Sequence, residues 1–89
     1  MPRIIATHAV GNMETWLAGG SERAEIFKQL STGYRIYRQP DGNKVAIVWE
    51  NADVKKLEAA LKHPEVEKAK ARHTVRDPIE IFVEVEGGK

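Results

Sequence analysis

The stretch GYRIYRQPDGNKVAIVWEN, residues 33–51, constrains the fold more than any other part of the chain. Two segments rich in β-branched and aromatic residues flank Pro40-Asp41-Gly42-Asn43, whose residue types tight turns require. The pattern predicts a β-hairpin. In its first strand Tyr34, Ile36 and Arg38 share one face, with Arg35 and Tyr37 on the other. In its second strand Val45, Ile47 and Trp49 oppose Ala46 and Val48. Apolar side chains on both faces lead us to expect a sheet covered on both sides.

The segments on either side of this hairpin follow a regular order. Arg3 to Val10 (RIIATHAV) reads as a central strand, apolar at both parities and ended by Gly11. Asn12 is placed to cap a helix that carries Met13, Trp16 and Leu17 on one face, and Gly19-Gly20 breaks or kinks it. Ser21 is a second candidate cap, with Ala24, Phe27 and Leu30 continuing the apolar stripe. After the hairpin, Asn51 or Asp53 caps a helix bearing Val54, Leu57, Ala60 and Leu61. His63-Pro64 bends that helix, because proline disfavours helical geometry in the residue before it but is welcome as a first helical residue. Val66 and Ala69 extend its stripe. Finally IEIFVEVE alternates, with Ile79, Ile81, Val83 and Val85 facing one way and Glu80, Glu84 and Glu86 the other.

The order is therefore βαββαβ, an α+β, ferredoxin-like pattern with one four-stranded antiparallel sheet and two helices on one face. Right-handed crossovers put strands one and three in the centre. We read residues 1–89 as one domain. A chain this short has a thin core, and the apolar last strand is a hazardous free edge. Pairing with a second copy through the sheet and that strand would solve both problems. Fourteen Lys and Arg against thirteen Asp and Glu leave a net charge of +1, with the signs interspersed. That argues against nucleic acid or an anionic membrane as partner. The segment KVAIVWE also lacks the glycine and paired aromatics of an RNA-recognition strand. There is no cysteine, hence no thiolate zinc site and no thiol nucleophile. Short apolar runs suggest neither a signal peptide nor a spanning helix, so the expected location is the cytoplasm.

On the βαββαβ order, on Trp49 at the end of the third strand, and on the helix ADVKKLEAALKHPEVEKAKA with its HPEV bend, the chain resembles the dimeric α+β barrel superfamily. That group includes antibiotic-biosynthesis monooxygenases, haem-degrading monooxygenases, polyketide cyclases and muconolactone isomerases. The resemblance spans Arg3 to Glu86. It implies that two sheets meet in a homodimeric barrel, each monomer keeping a pocket between its sheet and helices. The haem-degrading branch would want an Asn in the first strand, a Trp in the third and a His beyond the helix bend. Trp49 matches, but Thr7 and His8 stand in the first strand and Lys70 in place of the His. No haem or other cofactor is expected.

His8 is the candidate catalytic residue. It shares strand parity with Ile4, Ala6 and Val10, so burial should keep it neutral near pH 7, fit to act as a general base on a phenolic or 1,3-dicarbonyl substrate. The competing reading is a core histidine bonded to a backbone carbonyl or a tyrosine hydroxyl. Trp49 and Trp16 are candidate pocket walls. Tyr34 and Tyr37 lie on opposite strand faces, so at most one reaches the pocket, and Asn12 lies where such a pocket would open. His63 reads as a surface residue at the helix break and His73 as a loop residue before the last strand. They stand ten positions apart, not at a chelating interval, so no metal site is expected. The lysines and glutamates of the second helix, Lys70 among them, read as a solvated face, and Glu14 and Glu25 as exposed helix residues. Two functional readings follow. One is a cofactor-independent monooxygenase, cyclase or isomerase acting on a small apolar, aromatic or polyketide-like molecule. The other is a non-catalytic module that binds a small molecule or a protein with the same fold.

Overall fold

A computed structural model describes residues 3–85. The elements run β1 (Ile4–Val10), α1 (Met13–Ala18), α2 (Gly20–Phe27), β2 (Gly33–Arg38), β3 (Lys44–Glu50), α3 (Val54–Lys62), α4 (Pro64–Arg72) and β4 (Val75–Val83). Both helical arms are broken where the sequence predicts, at Gly19 and at His63-Pro64. The four strands form one antiparallel sheet in the order β2-β3-β1-β4, with β1 and β3 central. No helix among the described residues is long and apolar enough to cross a membrane.

Local chemistry fixes the arms. The Asn12 side chain caps α1 by accepting from the Thr15 amide at 3.0 Å. Asp53, rather than Asn51, caps α3 through the Lys55 and Lys56 amides. At the second break the His63 ring accepts from the Glu65 amide, with Pro64 as first helical residue. Ser21 does not cap α2. Helix α2 begins one residue earlier with Gly19 as its flanking residue and no side-chain cap.

The helices cover one sheet face only. Ile4, Ala6, His8 and Val10 of β1 and Val45, Ile47 and Trp49 of β3 face them and are buried. The expectation that both faces are covered fails within one chain. Ile5 is 37% exposed, and Tyr37 and Phe82 are each 52% exposed. Apolar residues at both parities report that each face meets something apolar, not that the same chain supplies it. The last strand also differs from expectation. It starts at Val75, opposite Val10, and ends at Val83, because its pairing with β1 sets its length. Val85 lies beyond it, 61% exposed, and Glu86 falls outside the described residues.

Phe27 of α2 joins the roof to the sheet. It makes edge-to-face contacts with Trp49 at 5.2 Å and with Tyr34 at 5.0 Å between centroids. Such pairs add about 0.5–1.5 kcal/mol beyond area burial. Phe27→Ala is expected to lower unfolding free energy by about 3–5 kcal/mol, read from the urea midpoint. A loss below 1 kcal/mol would mean that α2 is not anchored there.

Candidate functional site

Between sheet and helices lies an apolar cavity that leaves about 70 Å³ for the centres of water-sized molecules. One water needs about 10–15 Å³ on that measure, so several waters or a small ring fit. Ala6, His8, Ile47, Trp49, Ile79 and Ile81 contribute from the sheet, and Trp16, Phe27, Leu57 and Ala69 from the helices.

His8 faces this cavity by the alternation of β1, on the same side as Ile4, Ala6 and Val10, and it lies opposite an irregularity in the sheet. The pairing of β1 with β4 shifts between Thr7 and Ala9: Thr7 faces Glu80 and Ala9 faces Arg76, so three β4 residues pass opposite His8. Pro78, which has no amide hydrogen to donate to the ladder, sits in this stretch of an edge strand. The His8 ring is 7% exposed, and its Nδ1 lies 2.9 Å from the Ala9 carbonyl. A carbonyl only accepts, so the Nδ1 proton faces it and Nε2 is left with a free lone pair. Nε2 has no hydrogen-bond partner among the described residues. Burial pushes the His8 pKa below its ordinary value. The Ala9 carbonyl opposes that shift, while the positive charges of Arg23 and Lys70 reinforce it. The imidazole is therefore neutral at pH 7, and its one nitrogen without a partner is a proton acceptor.

Trp16 and Trp49 also line the cavity, both buried, with Trp16 edge-on to His8 at 6.0 Å. The other candidates lie elsewhere. Tyr34 packs against Phe27, outside the lining. Tyr37 points to the uncovered sheet face, and Asn12 is an exposed cap residue. Arg23 and Glu22, not singled out in the sequence, complete the site with His73 and Lys70. Arg23 is 6% exposed, with its guanidinium 3.8 Å from the centroid of the Trp16 ring. It donates to the Trp16 carbonyl and, at 3.3 Å, to His73 Nδ1. Since arginine only donates, the His73 proton sits on Nε2, 3.2 Å from Glu22 Oε2. The other oxygen of Glu22 pairs with Arg72, and that hydrogen bond is the main reason its pKa lies below the usual carboxylate range. His73, in the turn before β4 as expected, is thus also a buried link. Gly19 makes room for it, since a Cβ there would come within 2.4 Å of its ring. Lys70 also reaches the cavity lining, paired with Glu67 and Asp77. Among the described residues no three His, Cys, Asp or Glu side chains are grouped to hold a metal.

No protein-family model and no curated protein matches the sequence. Solved structures do match its fold. An antibiotic biosynthesis monooxygenase superposes with a TM-score of 0.69 at 14% identity, covering 96% of this chain and 97% of its own. SnoaB, a cofactor-independent oxygenase from Streptomyces nogalater, gives 0.67 at 13% identity over 96% and 93% of the two chains. The chain shares the α+β, ferredoxin-like fold of these structures. Protein Atu4242 from Agrobacterium tumefaciens superposes at 0.65 and 16% identity, over 96% and 92% of the chains. At these identities the likeness is one of architecture: the fold hosts the cavity, and the cavity's chemistry must be read from its own residues.

The lowered His8 pKa carries a stability signature. Below about pH 6.5 the unfolded chain takes up a proton at this position before the folded chain does. Stability should therefore fall as pH drops from 6.5 towards 5, by at most about 1.4 kcal/mol per pH unit, and be flat with respect to His8 above 6.5. Comparing denaturation of the parent with His8→Gln across that window isolates the contribution. Equal slopes would place His8 in solvent.

Proposed function

We propose that this protein is a cofactor-independent oxygenase of a small aromatic or polyketide-like molecule, acting as a homodimer with His8 as general base. The observation that carries this reading is the free Nε2 of a buried, neutral imidazole in an apolar cavity beside Trp16. Nε2 would take a proton from an activated C–H or a phenolic O–H of the bound ring. The electron-rich anion that remains can then reduce dioxygen. An activated CH₂ plus O₂ gives C=O plus H₂O, with one O₂ consumed per product. Trp16 and Trp49 would hold the ring between flat surfaces and keep bulk water away. Cyclisation or isomerisation would begin with the same proton transfer. The likeness in fold to SnoaB, an oxygenase without cofactor, favours oxygenation.

The homodimer reading is supported by the uncovered sheet face, where Ile5, Tyr37 and Phe82 are exposed on the side away from the helices. A second sheet packed there would cover all three. Light scattering at micromolar concentration should give the mass of two chains, and the mass of one chain would remove the barrel.

For catalysis, the decisive experiment follows oxygen uptake and tryptophan fluorescence with phenolic and 1,3-dicarbonyl aromatic compounds, in the parent and in His8→Ala. The parent should quench and consume oxygen, and His8→Ala should bind but turn over at least about 100-fold more slowly. Quenching with equal affinity in both proteins, and no oxygen uptake by the parent, would leave a non-catalytic binding module.

A further inference from the structure

The unpaired polar atoms of the cavity define the chemistry of its occupant. Among the described residues, three buried side-chain nitrogens have no hydrogen-bond partner: Trp16 Nε1, Trp49 Nε1 and Arg23 Nε. All three belong to residues that line the cavity, and all three are N–H donors. A buried donor without an acceptor is costly, so a group of them around one space calls for an explanation. The same space holds a buried positive charge. Arg23 has no direct ion pair with any carboxylate of the described residues. Its partners are the Trp16 carbonyl and His73, and both oxygens of the nearest acid, Glu22, are taken by Arg72 and His73.

The Glu22–His73 pair nevertheless holds Arg23 in place. With His73 Nε2–H directed at Glu22, its Nδ1 can only accept from Arg23, which fixes the guanidinium over the Trp16 indole, at the cavity wall. A cation held there without a carboxylate of its own, in a cavity that also holds two unpaired indole donors, suits an anionic oxygen surrounded by apolar atoms.

We propose that the cavity takes an aromatic molecule bearing an ionised oxygen, carboxylate or enolate, and that Arg23 is the seat of that oxygen, with the Trp16 and Trp49 indoles as further donors. This deepens the reading of the cavity as a ligand site and does not require turnover. His8 and Arg23 are both grouped around the Trp16 indole. A proton taken by His8 would thus leave its negative charge beside Arg23.

The test uses two pairs of probes of matched shape, titrated at pH 7 by calorimetry and tryptophan fluorescence. One pair is 1-naphthoate and 1-naphthamide. The other is 2-hydroxy-1,4-naphthoquinone, ionised at neutral pH, and its 2-methoxy ether. The parent should prefer the anion of at least one pair by tenfold to a hundredfold, as a charge-assisted hydrogen bond would give. Which pair shows the preference distinguishes carboxylate from enolate. In Arg23→Met the preference should vanish through loss of anion affinity, with the neutral probe bound as before. Equal affinities within both pairs, or no binding of any probe, would overturn the proposal, as would a preference that survives in Arg23→Met. The parent comparison decides the matter even if the variant does not fold. Charge preference without oxygen uptake would retain the anion seat and remove the oxygenase, whereas oxygen uptake without charge preference would do the reverse.

Discussion

Two helical arms must roof one face of a four-stranded sheet, and neither crosses it as a straight rod. The first is divided into α1 and α2 at Gly19, the second into α3 and α4 at His63-Pro64. Each break lets the arm bend across the sheet, and each has a local chemical cause: a glycine that admits a neighbouring ring in one case, a proline start with a histidine cap in the other. The arms meet where Glu22 and Arg23 of α2 contact Arg72 and His73 at the end of α4. Phe27 ties the first arm down to Trp49. Between these fixed points the roof stands clear of the sheet, and the cavity is what remains.

The polar contents of that cavity follow from how each residue is held. His8 is directed inward by the regular alternation of β1, and the carbonyl of its own neighbour decides which ring nitrogen keeps the proton. Arg23 is held by stacking on Trp16 and by a histidine whose second nitrogen is committed to a carboxylate. An acceptor and a cation are thereby fixed around one indole in an apolar space. Such an arrangement suits moving a proton and holding the charge left behind, because low local polarity strengthens each electrostatic contact.

Much of this architecture was legible in the sequence. The βαββαβ order, the central places of β1 and β3, both arm breaks, the cap at Asn12 and the inward parity of His8 all follow from local patterns that act within a few residues. What was not legible depends on distant encounters. Glu22 and Arg23 are consecutive charged residues on a short helix, which alone suggest only a solvated turn. They become a site through His73, about fifty positions away. Lys70 belongs to an alternating run of lysines and glutamates and reads as surface, yet the closing of α4 over β4 brings it to the cavity wall. Tyr37 and the open sheet face show the opposite case. Alternation correctly separates the two faces but is silent on whether a helix of the same chain or another molecule covers them.

The chemistry of the cavity turns on the state of one ring, which nitrogen-15 NMR of the His8 imidazole reports directly. At pH 7 the expected spectrum is that of a neutral ring with its proton on Nδ1 and an unprotonated Nε2 whose resonance moves when a ligand enters the cavity. A proton on Nε2, or a fully protonated imidazolium, would contradict it, because the cavity would then contain no base.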